Sequence, residues 1–431
     1  MRLLLACLVA LALPATAHAQ SSPAEQTMMQ TVAGEHDRHI ALLERMVNQN
    51  SGTLNLAGVR IVGDMVRAEL APLGFEVRWI DMAGTGRAGH LIATHAGRGR
   101  NILLIGHLDT VFEADNPFQR FERNGARAVG PGIGDDKGGV VVIIAALRAM
   151  QAAGTLEDAD ITVFLTGDEE RIGSPMAVAR RDLIEAGRAA AYALEFENLA
   201  VDGEADFGTI ARRSSSNWTL TATGRTGHSS GVFNDSLGYG AIYEMARILD
   251  GFRRDLPEPN LTYNVGVIAG GTPAAIDAEG FNVTASGKTN IVASTAIARG
   301  DLRTLTREQD ERIRAGMQAI VADHLPRTGA ELVFAEGGYP PMAPSEGNRA
   351  LLARLNAVNR DLGLPEMAEY DPARRGAADS GFVAQDVDTL GGLGMAGGNA
   401  HADGEWVDLD SLVRQSQRAA VLISRLSLTG E

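Results

Sequence analysis

Three apolar runs in the first half of this chain each stop at a cluster of charge. Asn101-Ile-Leu-Leu-Ile-Gly106 runs into His107-Leu108-Asp109, and Ile161 to Leu165 runs into Thr166-Gly167-Asp168-Glu169-Glu170. Ala191 to Phe196 carries Glu195 and Glu197 at its end. Short runs that are apolar throughout read as strands buried on both faces, which occur in parallel sheets covered by helices. In an open α/β sheet, ligands bind in the crevice beyond the carboxyl ends of the strands. The pattern therefore constrains the fold class and also where the chemistry sits.

The elements around these runs fit that class. Apolar positions at helical spacing predict helices over 35–49, 56–73 and 140–153, with Gly74 as a C-cap, and strands over 75–79 and 89–94. Alternating strands and helices argue for an α/β fold, a mainly parallel mixed sheet flanked by helices. Near Arg213 the pattern changes. A strand at 217–222, a helix at 236–252, strands at 261–269 and 290–302, a helix at 307–324 and a strand at 330–334 follow one another. That β-α-β-β-α-β order is ferredoxin-like α+β. With 431 residues the chain is long enough for more than one domain. We divide it into a first α/β segment at 20–212, an inserted domain at 213–328 and a second α/β segment at 329–431.

Residues 1–19, MRLLLACLVALALPATAHA, carry Arg2, an apolar core from Leu3 to Leu13 and a small-x-small signal at Ala17-His18-Ala19. This is a secretory signal peptide, too short to span a membrane, so export to the periplasm or medium is expected after cleavage near Ala19. Cys7 is the only cysteine and lies within it. The exported chain then has neither a thiol nucleophile nor a thiolate metal site, and any metal must be held by histidine and carboxylates. The net charge of −15 argues against nucleic acid and anionic membranes as partners. It does not exclude small anionic substrates, because a local cluster of cations can override a global field.

The polar motifs have bland readings one by one. His107 and Asp109 share a strand face, where a carboxylate can orient a ligand histidine, but a polar strand end looks the same. In GPGIGDDKGG, residues 130–139, the paired aspartates precede a helix and can act as caps. Capping accounts for Asp136 better than for Asp135, whose approach is lined with glycine. Asp168, Glu169 and Glu170 repel one another unless a cation neutralises them. Glu195 and Glu197 share a face, and His401 stands in a loop near the C-terminus. Gathered at one crevice, two histidines and three carboxylates without cysteine suit a borderline metal such as zinc.

In their order and spacing, GHLDTV, GPGIGDDKGG, GDEE, FE and the late histidine resemble the co-catalytic di-zinc exopeptidases and amidohydrolases. That family includes glutamate carboxypeptidases, succinyl-diaminopimelate desuccinylases and aminoacylases. GPGIGDDKGG, the FE after a strand and ARGDLR look most like the glutamate carboxypeptidase branch. The resemblance implies two Zn2+, with Co2+ or Mn2+ able to take the same ligands. It implies that His107 and Glu197 hold one ion, His401 and Glu170 the other, and Asp135 bridges both. Glu169 is then the general base and Asp109 orients His107, while the bond between Asp135 and Asp136 is cis. The inserted domain becomes a lid through which a homodimer forms. His228 reaches the partner's site, and Asn290 and Arg303 grip the substrate's terminal carboxylate. The implied substrate is a short peptide or N-acyl amino acid with a free carboxylate; N-acyl deacylation or desuccinylation is the same chemistry with another pocket. Asn198, where a proline often follows the ligand glutamate, and the added carboxylate of Glu195 depart from the family pattern.

Two other classes compete. Gly227-His228-Ser229-Ser230-Gly231 fits the G-x-S-x-G pattern of serine hydrolases, but a nucleophile elbow needs a strand directly before it and a helix directly after. A non-catalytic binding protein on the same fold is the other, since fold does not imply activity. His36 and His39 share a helix face with acids and read as solvated surface. Trp79, Trp218 and Trp406 read as core or rim.

Overall fold

The computed structural model describes residues 21–277, 280 and 282–428. The proposed signal peptide and Cys7 lie outside the described residues. We number the principal strands β1 (Glu76–Asp81), β2 (Gly89–His95), β3 (Asn101–His107), β4 (Asp160–Thr166), β5 (Tyr192–Glu195), β6 (Ser216–Gly224), β7 (Thr262–Gly271), β8 (Thr295–Arg303), β9 (Thr328–Phe334) and β10 (Thr389–Leu390). The principal helices are α1 (Pro23–Gly34), α2 (His36–Asn48), α3 (Leu56–Leu70), α4 (Gly139–Ala152), α5 (Ala241–Asp255), α6 (Arg307–Ala322), α7 (Glu346–Asp361) and α8 (Leu409–Ser427).

The central sheet has the order β1-β2-β4-β3-β5-β10. Its chemical half, β4-β3-β5-β10, is parallel, and β1 and β2 add antiparallel strands at one edge. Parallel pairing brings the carboxyl ends of β3, β4 and β5 to the same side: His107 lies opposite Thr166, and Ile105 opposite Glu195. Ile102 to Ile105 and Ile161 to Leu165 are buried, as strands covered on both faces should be. Helix α4 is buried almost all round and packs against α8 and α1. Full burial of each such aliphatic side chain contributes about 1.5–3 kcal/mol.

The inserted segment forms a four-stranded antiparallel sheet in the order β7-β8-β6-β9, with α5 and α6 on one face. Trp218, Leu220, Ala222, Met245, Phe252, Met317 and Leu332 make a core of its own, separate from the main one. This lid differs from expectation at three edges: its sheet includes β9, paired along β6, so the inserted domain runs past the boundary set at 328. Helix α5 starts at Ala241, because the Asn234 side chain accepts N–H bonds from Ser236 and Leu237 and Gly238 and Gly240 take positive φ, which holds the chain in turns. Strand β8 starts at Thr295, because Lys288 to Ile291 close a turn through the Ile291 N–H to the Lys288 carbonyl.

One reading is overturned. His39 is buried, not solvated: it shares the inward stripe of α2 with Leu42, Leu43 and Met46. Its neighbour His36 is turned toward the Leu409 carbonyl, 3.2 Å away, at the start of α8. Local charge in the sequence around 35–38 masked a stripe that tertiary packing needed.

Candidate metal centre

His107 is the last residue of β3. Its Nε2 lies 2.9 Å from Asp135 Oδ1, and its Nδ1 lies 3.1 Å from the Asp109 carbonyl and 3.5 Å from that residue's Oδ1. On the other side of Asp135, Oδ2 lies 3.1 Å from His401 Nε2, which is also 3.0 Å from Glu170 Oε2. Asp135 thus turns one oxygen to each histidine. Two ligand groups result, His107–Asp135–Glu197 and Asp135–Glu170–His401, each with donor atoms within 4.8 Å of one another. They share Asp135, so they describe two adjacent cation positions. A third group, His107–Glu169–Glu170, overlaps both.

The loop that presents Asp135 is held from several sides. Gly132, at φ 64, turns the chain, and the bond from Asp135 to Asp136 is cis. Asp136 does not cap α4 with its side chain; its Oδ2 accepts the His107 N–H at 3.1 Å. A Cβ at Gly139 would lie 1.8 Å from the Phe196 carbonyl and 2.2 Å from Asp136 Oδ1, so only glycine lets the helix start this close. The Lys137 ammonium is buried and donates to the carbonyls of Gln49 and Pro131.

Glu405, which the sequence motifs did not single out, accepts N–H bonds from Gly132, Gly134 and Asp135 at 2.8–2.9 Å. Its spacing of four residues from His401 was the available signal. Asp109 does more than face His107. Its carboxylate accepts the Thr53 hydroxyl and the backbone N–H groups of Glu169 and Glu170, so it also holds the acidic turn. Asp168 points away from the cluster. Arg180 binds it at 2.5 Å and Asp379 at 2.8 Å, supplying the cation that three successive acids require. Glu195 likewise turns from the cluster to Arg212, which also holds Glu197 at 2.7 Å.

The cluster has an excess of negative charge. Burial pushes Glu169 well above its usual range, and Glu197 and Glu170 add to it. Burial and Asp135 push Glu170 up to about 6. Burial pushes Glu197 up to about 7, with Arg212 opposing and Glu195 adding. Hydrogen bonds to Asp135 and Glu170 pull His401 up to about 11. Glu170 Oε1 is buried without a partner. Histidine nitrogens and carboxylate oxygens at this spacing, with an unsatisfied buried oxygen, fit borderline divalent cations.

The three candidate substrate residues lie in the lid and make no hydrogen bond or ion pair to the cluster among the described residues. His228 is exposed, with Nδ1 2.9 Å from Ser230 Oγ. Asn290 is beside it, its carbonyl accepting the Ser229 N–H. Arg303 stands at the opposite end of β8 and pairs with Asp301 at 3.0 Å. Nine residues of β8 span roughly 30 Å at about 3.3 Å each, so His228 and Arg303 belong to opposite ends of the lid. The Ser229 turn has no nucleophile-elbow geometry: β6 ends at Gly224 and α5 begins only at Ala241.

An α/β domain with a His/carboxylate cluster beyond its strand ends, carrying a smaller inserted α+β domain, has the make-up of a metal-dependent hydrolase. The chain belongs to peptidase family M20/M25/M40, whose sequence profile matches residues 103–425. It is 30% identical over 413 residues to carboxypeptidase G2 of Pseudomonas sp. (strain RS-16), covering 93% of this chain and 92% of that one. It is 27% identical over 372 residues to a succinyl-diaminopimelate desuccinylase of Nitrosospira multiformis, covering 80% and 88%. Its fold matches that of a dinuclear metal-binding M20 peptidase of Bacillus subtilis with a TM-score of 0.62, at 16% identity and over 92% and 99% of the two chains.

Proposed function

We propose that this protein is an exported, zinc-dependent, carboxypeptidase-like exopeptidase. Its substrates are short peptides or N-acyl amino acids with a free terminal carboxylate. The observation that carries the reading is the division of the two Asp135 oxygens between His107 and His401. In this reading His107 and Glu197 hold one ion, Glu170 and His401 the other, and Asp135 joins them. Two divalent ions bound there would supply Lewis acidity to the scissile carbonyl and to the attacking water.

The remaining work falls to the chain. Glu169 is buried beside both groups, and its raised proton affinity suits a base that takes a proton from water and returns it to the leaving amine. Asp109 fixes the backbone of Glu169 and faces His107. Arg303 offers a guanidinium suited to a carboxylate, whereas Asn290, beside His228 at the other end of β8, does not reach the same carboxylate within one chain. His228 is too far from Arg303 to serve the same substrate within one chain, which favours a homodimer in which His228 completes the partner's site. Likeness to carboxypeptidase G2 supports the exopeptidase reading, and likeness to the desuccinylase supports N-acyl deacylation as the second one.

The test is a hydrolysis screen of dipeptides and N-acyl amino acids with zinc-loaded protein. Release of the C-terminal amino acid, lost on amidation of its carboxylate, is the expected result. No turnover of any member, with two zinc ions bound, would favour a non-catalytic binding protein.

A further inference from the structure

The lid and the α/β domain have separate hydrophobic cores, and the chain crosses between them twice, inward through 212–216 and outward through 335–342. The two crossings pair with each other. Arg212 and Met342 exchange N–H···O bonds at 2.9 and 3.0 Å, and Ser215 and Tyr339 exchange them at 2.8 and 3.0 Å. The approach is close: a Cβ at Gly338 would lie 2.5 Å from the Ser215 carbonyl. Pro340 and Pro341 then fix φ at the next two positions.

This short ladder touches the candidate metal centre at two points. The Arg212 guanidinium holds Glu197 at 2.7 Å. The Tyr339 phenol donates to the carbonyl of Glu169. That carbonyl and the Glu170 N–H belong to one peptide plane, the plane that joins the candidate base to a candidate ligand. Asp109 Oδ2 accepts the N–H at 3.1 Å, and its Oδ1 accepts the Glu169 N–H at 2.9 Å. The loop after β3 thus holds the plane from one side and the lid junction from the other.

The phenol is itself held. Its ring packs against Phe382 with centroids 5.5 Å apart, and Phe382 lies under Arg180, which takes Asp168 and Asp379. Burial, Glu169 and Asp379 push the Tyr339 hydroxyl well above its usual range, with Arg180 opposing, so it keeps its proton and remains a donor.

We propose that Tyr339 is a positioning residue: from the lid junction its hydroxyl fixes the peptide between Glu169 and Glu170, and so sets the base relative to the metal ligands. The assignment rests on the hydrolase reading above. A hydroxyl that merely fastened the two domains together would matter for stability and not for the chemical step.

Tyr339→Phe keeps the ring and removes the donor. In the zinc-loaded protein kcat should fall by roughly 10- to 100-fold, as displacement of a reacting group does, with KM and zinc content close to the parent's. Para-aminophenylalanine in place of Tyr339 returns an N–H donor and should recover most of the loss. Ser214→Ala is the control for the junction: it cuts the 2.8 Å hydroxyl contact of Ser214 with Thr304 and leaves the phenol in place, so kcat should stay near the parent's whatever the change in thermal stability. Hydrogen–deuterium exchange gives a reading without turnover. The amides of 167–173 should exchange about tenfold faster in Tyr339→Phe, the worth of one hydrogen bond, and at the parent's rate in Ser214→Ala. An unchanged kcat or unchanged exchange in Tyr339→Phe, or an equal loss of kcat in Ser214→Ala, would overturn the proposal while the hydrolase reading stands. If the parent turns nothing over, that reading falls, and faster exchange at 167–173 in Tyr339→Phe alone still upholds the anchoring of the peptide.

Discussion

Glu405 accepts the backbone N–H of Asp135 at 2.9 Å, which ties the loop of His401 to the loop of the shared carboxylate. The same side chain accepts the N–H groups of Gly132 and Gly134. The distance between the two candidate cation positions is therefore set partly by a residue that touches neither.

Replacing Glu405 with Ala should lower divalent-metal affinity by about 10- to 100-fold, the usual cost of losing an outer support. Chelator competition measures it. Unchanged affinity would remove Glu405 from the positioning role.

Glu169→Gln should abolish turnover while two metal ions per chain remain bound. The loss expected of a single acid–base group is about 10²–10⁴-fold. Metal content by mass spectrometry and kcat on the same sample decide the case, and a variant that kept most of its activity would reassign the base.

Arg303→Ala should reduce kcat/KM on substrates with a free terminal carboxylate by about 10- to 100-fold and change little on amidated ones. Equal effects on both would place Arg303 outside the substrate contact.

Removal of metal by a chelator should extinguish activity, and serine-directed inhibitors should not, because Ser229 lies in an exposed turn with its nearest histidine turned to Ser230. The reverse pattern would revive the serine hydrolase reading.

His39 makes a prediction about stability alone. Burial lowers its pKa to about 4, with Glu35 opposing, against about 6.5 in the unfolded chain. The unfolded state then binds the proton first. Stability is fully present above about pH 6.5 and falls as pH drops toward 4, by up to about 3 kcal/mol. His39→Leu should flatten that part of the stability–pH curve measured by denaturant unfolding; an unaltered slope would refute it.

Much of this was legible in one dimension. Short, largely apolar runs at 102–106 and 161–165 read as strands buried on both faces, and a strand's end is where its last side chains meet the crevice. Glycines around Asp135 announced a close approach of backbone. The lid was readable because α5 and α6 carry helical stripes and β6 alternates. What escaped depended on partners remote in sequence. The chain text shows Asp168, Glu195 and Glu405 as surplus acids, and His39 as a surface residue.

The sequence by itself determined the residue types: two histidines and a set of carboxylates at strand ends, with no thiol among residues 20–431, which limits the metal chemistry whatever the packing. Only the tertiary structure decided which acids face the metal positions. Arg180 draws Asp168 away, Arg212 takes Glu195 and holds Glu197, and Glu405 binds the Asp135 loop. The reason is physical. A carboxylate's role is set by the nearest charge in a medium of low dielectric, and that neighbour can lie hundreds of residues away along the chain.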